Sequence, residues 1–260
     1  MIDVLVTGAA GRMGGEVVRA VTAEDGMRVV AAVDPGAAGH SIDDGAGGTV
    51  LVSGDLAAAI AAASPQVMVD FTHPTAVEGN VRTALAAGVD CVVGTTGVPL
   101  TSLEALAAES PGPCLFVAPN FAIGAVLLMR FAGQAAHYMP HVEVIELHHD
   151  RKADAPSGTA IRTAAIIAAS RREVPASPGR ETEVAEGARG ALVDGVSIHS
   201  VRLPGLVAHQ EVIFGGVGQT LTLRHDSIDR TSFMPGVLLA VRKISGRSGL
   251  VVGLDALMED

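Results

Sequence analysis

The sequence predicts an α/β protein with two parts: an N-terminal Rossmann-like dinucleotide-binding domain and a C-terminal α+β domain with an open mixed sheet. Three observations support this fold class. Over the first 121 residues, apolar strand-like runs alternate with helical patterns, which is typical of a parallel sheet with crossover helices. A glycine-rich turn joins the first strand to the first helix. After residue 195, strands follow one another without intervening helices, which indicates a separate, mixed or antiparallel sheet.

The composition argues against several classes of protein. The 260 residues allow one large domain or two modest ones. No apolar run approaches about 18 residues, and the N-terminus lacks a basic region, so we predict neither a membrane span nor a signal peptide. The net charge of −10 argues against a nucleic-acid-binding surface but is compatible with a local basic pocket for an acidic substrate. Cys91 and Cys114 form no CxxC pair, which suits reduced thiols in the cytoplasm.

The first strand, residues 2–6, leads directly into a GxxGxxG loop and then into a helical pattern. This spacing is a variant of the dinucleotide-binding loop. In that interpretation Gly8 makes the tight turn, Gly11 lets the backbone approach a pyrophosphate, and Gly14 lets the helix pack on the strand. A glycine-rich turn in an unrelated α/β domain is the alternative, but the strand before the loop and the helix after it favour the dinucleotide site.

The second strand, residues 28–33, ends in Asp34, which follows the loop by about twenty residues, where an acid binds the adenosine ribose of the cofactor. Pro35 and Gly36 follow instead of an arginine, so the usual partner for a 2′-phosphate is missing. Arg12, inside the loop, offers a positive charge in its place. We therefore expect NADH to be well accepted, with NADPH also possible.

Three further strands end in small or polar loops, which are Asp70-Phe71-Thr72, Gly94-Thr95-Thr96 and Ala118-Pro119-Asn120-Phe121. In a doubly wound sheet, ligands bind at the carboxyl ends of the strands. We therefore expect these loops to line the nicotinamide half of the cofactor site. Ordinary turn chemistry is the alternative for any one of them.

The pattern changes near residue 122, which we take as the start of a second domain. Its predicted elements are a helix over 122–137, a strand over 142–147, a helix beginning near 157, a polar and mobile excursion over 171–190, and strands over 195–202, 209–214 and 219–224. The predicted domains are residues 1–121 with 232–260 for the dinucleotide, and 122–231 for the substrate. Residues 36–50, rich in glycine and aspartate, are predicted to be a loop.

The segment from Glu146 to Ala160 carries the densest group of chemically active side chains in the chain. His148, His149 and Lys152 offer proton transfer and positive charge. Ser157 is a good N-cap, so the N–H groups of the next two residues, Gly158 and Thr159, would open a helix that binds a carboxylate. Solvated histidines, a surface lysine and an ordinary helix cap are the alternative interpretation of the separate parts. Together, these groups favour a site for a small acid.

A metal site in the same segment is disfavoured. Neighbouring residues of an extended strand point to opposite faces, so two adjacent histidines are poorly placed to bind one ion. No cysteine or further histidine recurs at ligand spacing. We predict no bound metal.

The segment Glu146-Leu-His-His-Asp-Arg-Lys-Ala-Asp-Ala-Pro-Ser-Gly-Thr-Ala160 is similar to the signature of the 4-hydroxy-tetrahydrodipicolinate reductase (dihydrodipicolinate reductase) family. Supporting matches are the glycine loop, the three strand-end loops, Arg202-Leu-Pro-Gly-Leu-Val-Ala-His-Gln-Glu and Leu223-Arg-His-Asp-Ser. The resemblance covers essentially the whole chain and is to the actinobacterial type. It implies NAD(P)H-dependent reduction of 4-hydroxy-tetrahydrodipicolinate to tetrahydrodipicolinate in diaminopimelate and lysine biosynthesis, with hydride added to ring carbon C4.

The resemblance also implies roles for individual residues. His148 would transfer the proton, His149 would contact the substrate, and Lys152 would donate a proton and pair with a carboxylate. A second carboxylate contact would come from Gly158 and Thr159. The dinucleotide would be held by Gly8, Ala9, Ala10, Gly11, Arg12, Met13, Asp34, Gly94, Thr95, Thr96, Ala118, Pro119, Asn120 and Phe121.

Further implications are a homotetramer assembled through the sheets of the second domain, and a cytoplasmic location. Arg151 departs from the family pattern, since many members have histidine there, and it makes the positive charge at that position permanent. Two other functions stay open at this point. One is reduction of a different amino or keto dicarboxylate, which a substrate panel would separate. The other is a non-catalytic NAD-binding sensor, which has no use for the cluster around His148.

Overall fold

The computed structural model describes residues 1–175 and 182–258 of the chain. The strands are β1 (Ile2–Thr7), β2 (Met27–Val33), β3 (Ser41–Asp43), β4 (Thr49–Ser53), β5 (Val67–Asp70), β6 (Asp90–Val93), β7 (Cys114–Val117), β8 (His141–His148), β9 (Ala191–Val193), β10 (Val196–Arg202), β11 (Ala208–Gly216), β12 (Gln219–Ser227) and β13 (Gly249–Val252). The α-helices are α1 (Arg12–Ala23), α2 (Leu56–Ala63), α3 (Pro74–Ala86), α4 (Leu100–Glu109), α5 (Ile123–Ala136), α6 (Gly158–Ser170) and α7 (Met234–Lys243). The chain divides into unit 1, Met1–Phe121 with Arg230–Asp260, and unit 2, Ala122–Asp229.

Unit 1 is built on an eight-stranded sheet in the order β13-β7-β6-β5-β1-β2-β4-β3. Every neighbouring pair is parallel except β3 and β4 at one edge. The central strands are continuous apolar runs because helices cover both faces of such a sheet. Helix α1 shows how a helix covers it: Gly14, Val17, Val18 and Val21 are buried at helical spacing on one face. The Rossmann-like fold class is confirmed.

The prediction of a loop over residues 36–50 was wrong. Strand β3 lies within this segment and pairs antiparallel with β4, whose first residues also fall inside it, with Ile42 opposite Val50. Asp44 stabilises the intervening turn by accepting hydrogen bonds from the backbone N–H groups of Ala46 and Gly48. A three-residue edge strand is too short to show a period of two, and the glycine-rich turn next to it dominates the composition.

Unit 2 contains a five-stranded sheet in the order β12-β11-β8-β10-β9. Strands β8 and β10 are parallel and the other pairs are antiparallel, which confirms the open mixed sheet. Strands β11 and β12, predicted as neighbouring strands in the chain, form a hairpin with Gly218 in the left-handed conformation at φ +70°. Helices α5 and α6 contribute alanines and Ile167 to a core that includes Val144 and Phe214 of the sheet.

The predicted mobile excursion over residues 171–190 falls partly on residues 176–181, which lie outside the described residues. The described part of that segment contains neither helix nor strand before β9. None of the helices in residues 1–175 and 182–258 combines the length and the apolar composition that a membrane-spanning helix requires.

Candidate active site

The glycine loop lies between β1 and α1, where two positions exclude any side chain. Gly8 has φ +70°, and a Cβ there would lie 2.5 Å from the carbonyl oxygen of Phe71. A Cβ on Gly14 would lie 2.0 Å from the carbonyl oxygen of Gly8. Gly11 is the N-cap of α1. The first N–H groups of this helix therefore have no capping side chain, and they suit the phosphates of a dinucleotide.

Asp34 links the end of β2 to this loop. Its Oδ1 accepts a hydrogen bond from the N–H of Gly36 at 3.0 Å, and its Oδ2 accepts one from the N–H of Ala10 at 3.3 Å. A cavity of about 420 Å³ lies here, lined among others by Gly8, Gly11 and Asp34. These features fit a pyridine dinucleotide: the cavity offers room, the glycines offer backbone, and the carboxylate lies at the position expected to bind ribose.

Arg12 and Met13 open helix α1, with Arg12 exposed and Met13 half-buried, while Ala9 is fully buried. Arg12 lines a second cavity of about 290 Å³ together with Arg19 and Arg230. Arg19 is paired with Glu16 at 2.6 Å. The positive charge of Arg12 lies beside the glycine loop, since both line this cavity.

Asp70, at the end of β5, connects two loops of the predicted nicotinamide half, its own and the one after β6, with β1 and α3. Its buried carboxylate accepts hydrogen bonds from the hydroxyls of Thr7 (2.8 Å), Thr72 (2.8 Å) and Thr95 (3.0 Å). It also accepts bonds from the N–H of Thr72 (3.1 Å) and from Nδ2 of Asn80 (2.8 Å). Asp70 was predicted to belong to a loop that lines the site, but its side chain is fully buried and holds the neighbouring segments in place.

The remaining predicted cofactor residues lie at the ends of β6 and β7, which neighbour β5 in the sheet. Gly94 has no room for a side chain, because a Cβ would lie 2.1 Å from the ring of Phe71. Thr95 is half-buried against Asp70, and Thr96 is exposed. Ala118 and Phe121 are buried, and the ring of Phe121 contacts that of Phe71 at 5.8 Å between centroids. Pro119 and Asn120, between them, are more accessible.

In unit 2, the side chain of Glu146 lies between His148 and the start of α6, two parts of the predicted substrate site. It is fully buried and lies on the core face of β8, two residues before His148. Its Oε2 accepts a hydrogen bond from Nδ1 of His148 at 2.5 Å. Parallel pairing of β8 with β10 places Arg202 beside His148. The Arg202 guanidinium donates to both oxygens of Glu146, at 2.9 and 2.8 Å, in a bidentate ion pair.

These contacts change the proton affinities of both groups. Burial raises the pKa of Glu146, but hydrogen bonds from Arg202, Ser200 and His148 outweigh it and hold the pKa below its ordinary value. Burial lowers the pKa of His148, the hydrogen bond to Glu146 opposes this, and the charges of Lys152 and Arg202 lower the pKa further. The net result is an ionised glutamate and a histidine that gives up its proton more readily than usual.

Helix α6 begins beside the same carboxylate. Ser157 is its N-cap: the Ser157 hydroxyl accepts a hydrogen bond from the N–H of Ala160 at 3.2 Å, while the Ser157 N–H donates to Glu146 Oε1 at 3.2 Å. Gly158 and Thr159 lie between these two bonded groups, in the first turn of the helix. A Cβ on Gly158 would meet nothing within 4 Å, so there is open space at this helix start.

Two further predicted residues lie close to this helix start in the chain. The ammonium of Lys152 donates to both carboxylate oxygens of Asp154, at 2.7 and 2.9 Å. The Nδ1 atom of His149 is buried and has no hydrogen-bond partner in the part of the chain that the structure describes. Arg151 is exposed. A buried polar atom without a partner is energetically costly, so Nδ1 of His149 is an atom to which a ligand or a water would bind.

The contacts of Glu146 with His148 and Arg202 were not predicted from the sequence. A signal for Glu146 was present, because it shares the buried face of β8 with Val144, two residues earlier. A carboxylate on the core face of a strand needs a partner. No local pattern indicates Arg202 as that partner, since the two residues are 56 positions apart and meet only through strand pairing. Asn80 gave no signal either, because its contact with Asp70 is made from α3.

Neither a metal site nor a reactive thiol is evident in the described residues. They contain no group of three or more histidine, cysteine, aspartate or glutamate side chains arranged to hold an ion. Cys91 and Cys114 are buried and unpaired. Burial raises the pKa of the Cys114 thiol to about 11 and that of Cys91 well above its ordinary value, so both thiols are unreactive at neutral pH.

Comparisons with known proteins cover both units. The family profile described as dihydrodipicolinate reductase, N-terminus, matches residues 2–121, and the profile for the C-terminus of the same enzyme matches residues 124–258. A 4-hydroxy-tetrahydrodipicolinate reductase of Mycobacterium sp. (strain KMS) is 49% identical over 98% of both chains. One from Syntrophomonas wolfei is 50% identical at the same coverage. The solved dipicolinate-bound dihydrodipicolinate reductase of Paenisporosarcina sp. TG-14 is 43% identical, covers 99% of this chain and 100% of its own, and superposes with a TM-score of 0.86.

Proposed function

Because the chain belongs to the dihydrodipicolinate reductase family, we propose that unit 1 binds the nicotinamide cofactor and that the segment around His148 in unit 2 binds the substrate. The activity follows from the family: the chain is an oxidoreductase that reduces 4-hydroxy-tetrahydrodipicolinate to tetrahydrodipicolinate in diaminopimelate and lysine biosynthesis. The observation that carries the residue assignment is the buried Glu146 carboxylate, which contacts both His148 and the start of α6.

The cofactor of the family is NAD(P)H, and when bound it supplies the hydride that adds to ring carbon C4 of the substrate. In this chain the glycine loop would hold the pyrophosphate and Asp34 the adenosine ribose. The loops after β5, β6 and β7 would hold the nicotinamide, with Asp70 fixing the positions of Thr72 and Thr95. We propose that NADH is well accepted, because Pro35 follows Asp34 where an arginine would bind a 2′-phosphate. Arg12 leaves NADPH acceptable as well.

His148 is the proposed proton donor. Reduction at C4 moves electron density toward the ring nitrogen, so a proton must be supplied at neutral pH. An imidazole is suited to this transfer, because its ordinary pKa is about 6.5. Its Nδ1 is committed to Glu146, so the proton would leave from Nε2.

Lys152 and the start of α6 are the proposed sites for the two substrate carboxylates. The ammonium of Lys152 already binds the carboxylate of Asp154 through two hydrogen bonds, and a substrate carboxylate would compete for the same position. The first turn of α6 suits a second carboxylate because of its free space at Gly158 and its positive helix end. The buried Nδ1 of His149 would gain a partner on the substrate. Holding both carboxylates fixes C4 in place, which is where positioning contributes most.

A cytoplasmic homotetramer assembled through the sheet of unit 2 completes the proposal. It rests on the family resemblance, and a sedimentation measurement tests the assembly.

The test of the residue roles is a coupled assay. Pyruvate and aspartate semialdehyde are condensed by a synthase, and oxidation of NADH and of NADPH is followed when this protein is added. We expect rapid oxidation that depends on the synthase product. His148→Gln should lower kcat by about 10²–10⁴, the usual contribution of general-acid catalysis, with a much smaller change in KM. Lys152→Ala should raise KM and lower kcat.

His199→Gln is the matched control for His148. His199 is also a histidine of the unit 2 sheet bonded to a glutamate, with its Nε2 2.8 Å from Glu143, but it lies outside the proposed site. We expect its kcat and KM to stay at wild-type values. A His148→Gln enzyme that changed only KM would contradict the acid role, and a Lys152→Ala enzyme with unaltered KM would contradict the carboxylate role.

A further inference from the structure

The buried carboxylate of Glu146 connects two parts of the proposed substrate site with the strand β10. It accepts hydrogen bonds from His148 at the end of β8, from Arg202 at the end of β10, and from the backbone of Ser157 before α6. We propose that Glu146 is a positioning residue that fixes which nitrogen of His148 carries the exchangeable proton and, through the same carboxylate, fixes the start of the carboxylate-binding helix. The inference rests on the proposed acid role of His148.

The hydrogen bond to Glu146 determines the tautomer of His148. An ionised carboxylate can only accept hydrogen bonds, so Nδ1 of His148 must carry the hydrogen that joins it to Glu146 Oε2. This holds for the neutral and the charged imidazole alike. Only Nε2 then gains or loses a proton, which places the exchangeable proton on the side of the ring away from Glu146. A carboxylate that orients an imidazole in this way can be worth several orders of magnitude in rate.

Arg202 keeps the carboxylate of Glu146 charged. A fully buried carboxylate would favour its neutral form, which could not select the tautomer in the same way. Arg202 prevents this by donating to both carboxylate oxygens, and the pKa of Glu146 stays low although burial raises it. Arg202 also donates to the backbone oxygen of Asp154 at 2.7 Å, which links the same ion pair to the loop that carries Lys152.

The carboxylate of Glu146 also holds the start of helix α6. The Ser157 N–H donates to Glu146 Oε1, so the residue that caps the helix is held by the carboxylate that orients His148. Movement of the carboxylate would displace both the imidazole and the helix start. A single buried side chain therefore sets the distance between the proton donor and the carboxylate-binding groups.

The same strand contains a matched control. Glu143 lies three residues before Glu146, on the other face of β8, and it also pairs with a histidine and an arginine, which are His199 and Arg189. This second triad is exposed: the side chains of Glu143 and Arg189 are 38% and 52% accessible, against 0% and 18% for Glu146 and Arg202. Glu143→Gln therefore removes a carboxylate that lies on the same strand and has the same types of partner as Glu146, but that lies outside the proposed site.

The test is nitrogen NMR of the histidine rings in protein labelled with ¹⁵N-histidine, in which two-bond proton–nitrogen correlations report the tautomer and the pKa of each ring. The signal of His148 is assigned by its absence in His148→Gln. In the wild-type protein we expect His148 to be in the Nδ1–H form when neutral. An Nε2–H form in the wild-type protein would overturn the proposal, even if every Glu146 variant failed to fold.

Glu146→Gln sharpens the measurement. The side-chain oxygen of the glutamine would accept the hydrogen bonds of Arg202. The glutamine NH₂ group would then donate to Nδ1 of His148, which favours the Nε2–H form of the ring. The His148 pKa should fall below the wild-type value because the charge of Arg202 is no longer balanced. In the coupled assay we expect kcat to fall about 100-fold or more, and the decline of activity at high pH should begin at a lower pH.

Glu143→Gln should leave the His148 spectrum, kcat and its pH profile unchanged, with the oligomeric state checked by sedimentation. Glu146→Gln with an unaltered His148 tautomer and pKa would refute the positioning role. The acid role of His148 is tested separately by the activity of His148→Gln. An Nδ1–H tautomer together with a fully active His148→Gln would therefore refute the proposed acid role of His148 and not its orientation by Glu146.

Discussion

Asp70 in unit 1 and Glu146 in unit 2 are both fully buried carboxylates near the end of a strand, and both hold several segments together. Their partners differ in kind. Asp70 is bonded to threonine hydroxyls, a backbone N–H and the amide of Asn80, none of which titrates near neutral pH. Glu146 is bonded to the imidazole of His148 and the guanidinium of Arg202. The partners in the first arrangement do not exchange protons near neutral pH, whereas the second arrangement couples the position of the carboxylate to a group that does.

The difference suggests a division of labour between the two units. A dinucleotide is held by shape, backbone and hydroxyl groups, and these need a rigid support that does not respond to pH. A proton donor needs a defined tautomer and a tuned pKa, and these require a charged neighbour whose own charge is controlled. If the two carboxylates differ in this way, substitutions at Asp70 and at Glu146 or its partners should affect stability and pH dependence differently.

The largest effect is expected from Arg202→Met. It removes the cation of a buried ion pair and leaves Glu146 buried without its counter-charge, which typically costs about 3–5 kcal/mol in the free energy of unfolding. Urea unfolding followed by circular dichroism measures it. Adding Glu146→Gln to this variant should recover part of the loss, because the stranded charge is then removed.

Arg189→Met is the control for that measurement. It breaks the exposed pair with Glu143, and such pairs contribute about 0–1 kcal/mol. Equal losses in the two arginine variants would show that burial of the Glu146 pair has no energetic consequence, and the comparison with Asp70 would then lose its basis.

Asp70→Asn should have an intermediate effect. Asparagine keeps one acceptor oxygen and replaces the other by an NH₂ donor, so some of the donors now bonded to Asp70 lose their partner. We expect a loss of about 1–3 kcal/mol in the free energy of unfolding and a raised KM for the dinucleotide. The pH profile of kcat should keep its position, in contrast to Glu146→Gln.

Asp55→Asn is the matched control for Asp70 in unit 1. Asp55 is the exposed N-cap of α2 and accepts a hydrogen bond from the N–H of Ala58, a role that asparagine fills equally well. Stability and KM should stay at wild-type values. A shifted pH profile in Asp70→Asn would mean that Asp70, too, is coupled to a titrating group, which would remove the distinction between the two carboxylates.

Most of the fold could be predicted from the sequence because its signals are local. The glycine loop, the alternation of apolar runs with helical patterns, and the hairpin at Gly218 are each contained within a few tens of residues. Strand β3 was missed because its local signal is too short. Helix α5 lies one residue inside its predicted bounds of 122–137 at each end, and α6 begins one residue after its predicted start near 157.

The candidate site was less predictable for a physical reason. His148, Lys152 and Ser157 lie in one continuous segment, so their proximity could be inferred from the sequence. Glu146 and Arg202 meet only because β8 and β10 pair in parallel, and that pairing is decided by the whole sheet. Asp70 and Asn80 likewise meet across a strand and a helix. Long-range polar contacts leave no periodic pattern, although a charged residue on a buried strand face signals that one must exist.

The smallest effect concerns the pH dependence of stability, and it compares the two units directly. Burial lowers the pKa of His148 in the folded protein, so between that pKa and about 6.5 the unfolded chain binds more protons than the folded one. The stability associated with His148 is therefore present above about pH 6.5 and is lost as the pH falls toward the folded pKa. His225 contributes in the same direction, because burial lowers its pKa as well.

We expect the free energy of unfolding, measured in urea from pH 7.5 to 5, to decline less steeply in His148→Gln than in the wild-type protein. Asp70→Asn should retain the wild-type slope over this range, since its donors do not titrate there. If the free energy of unfolding of His148→Gln had the same pH slope as that of the wild-type protein, His148 would not be desolvated by its site. The contact of Glu146 with a titrating group would then have no effect on stability.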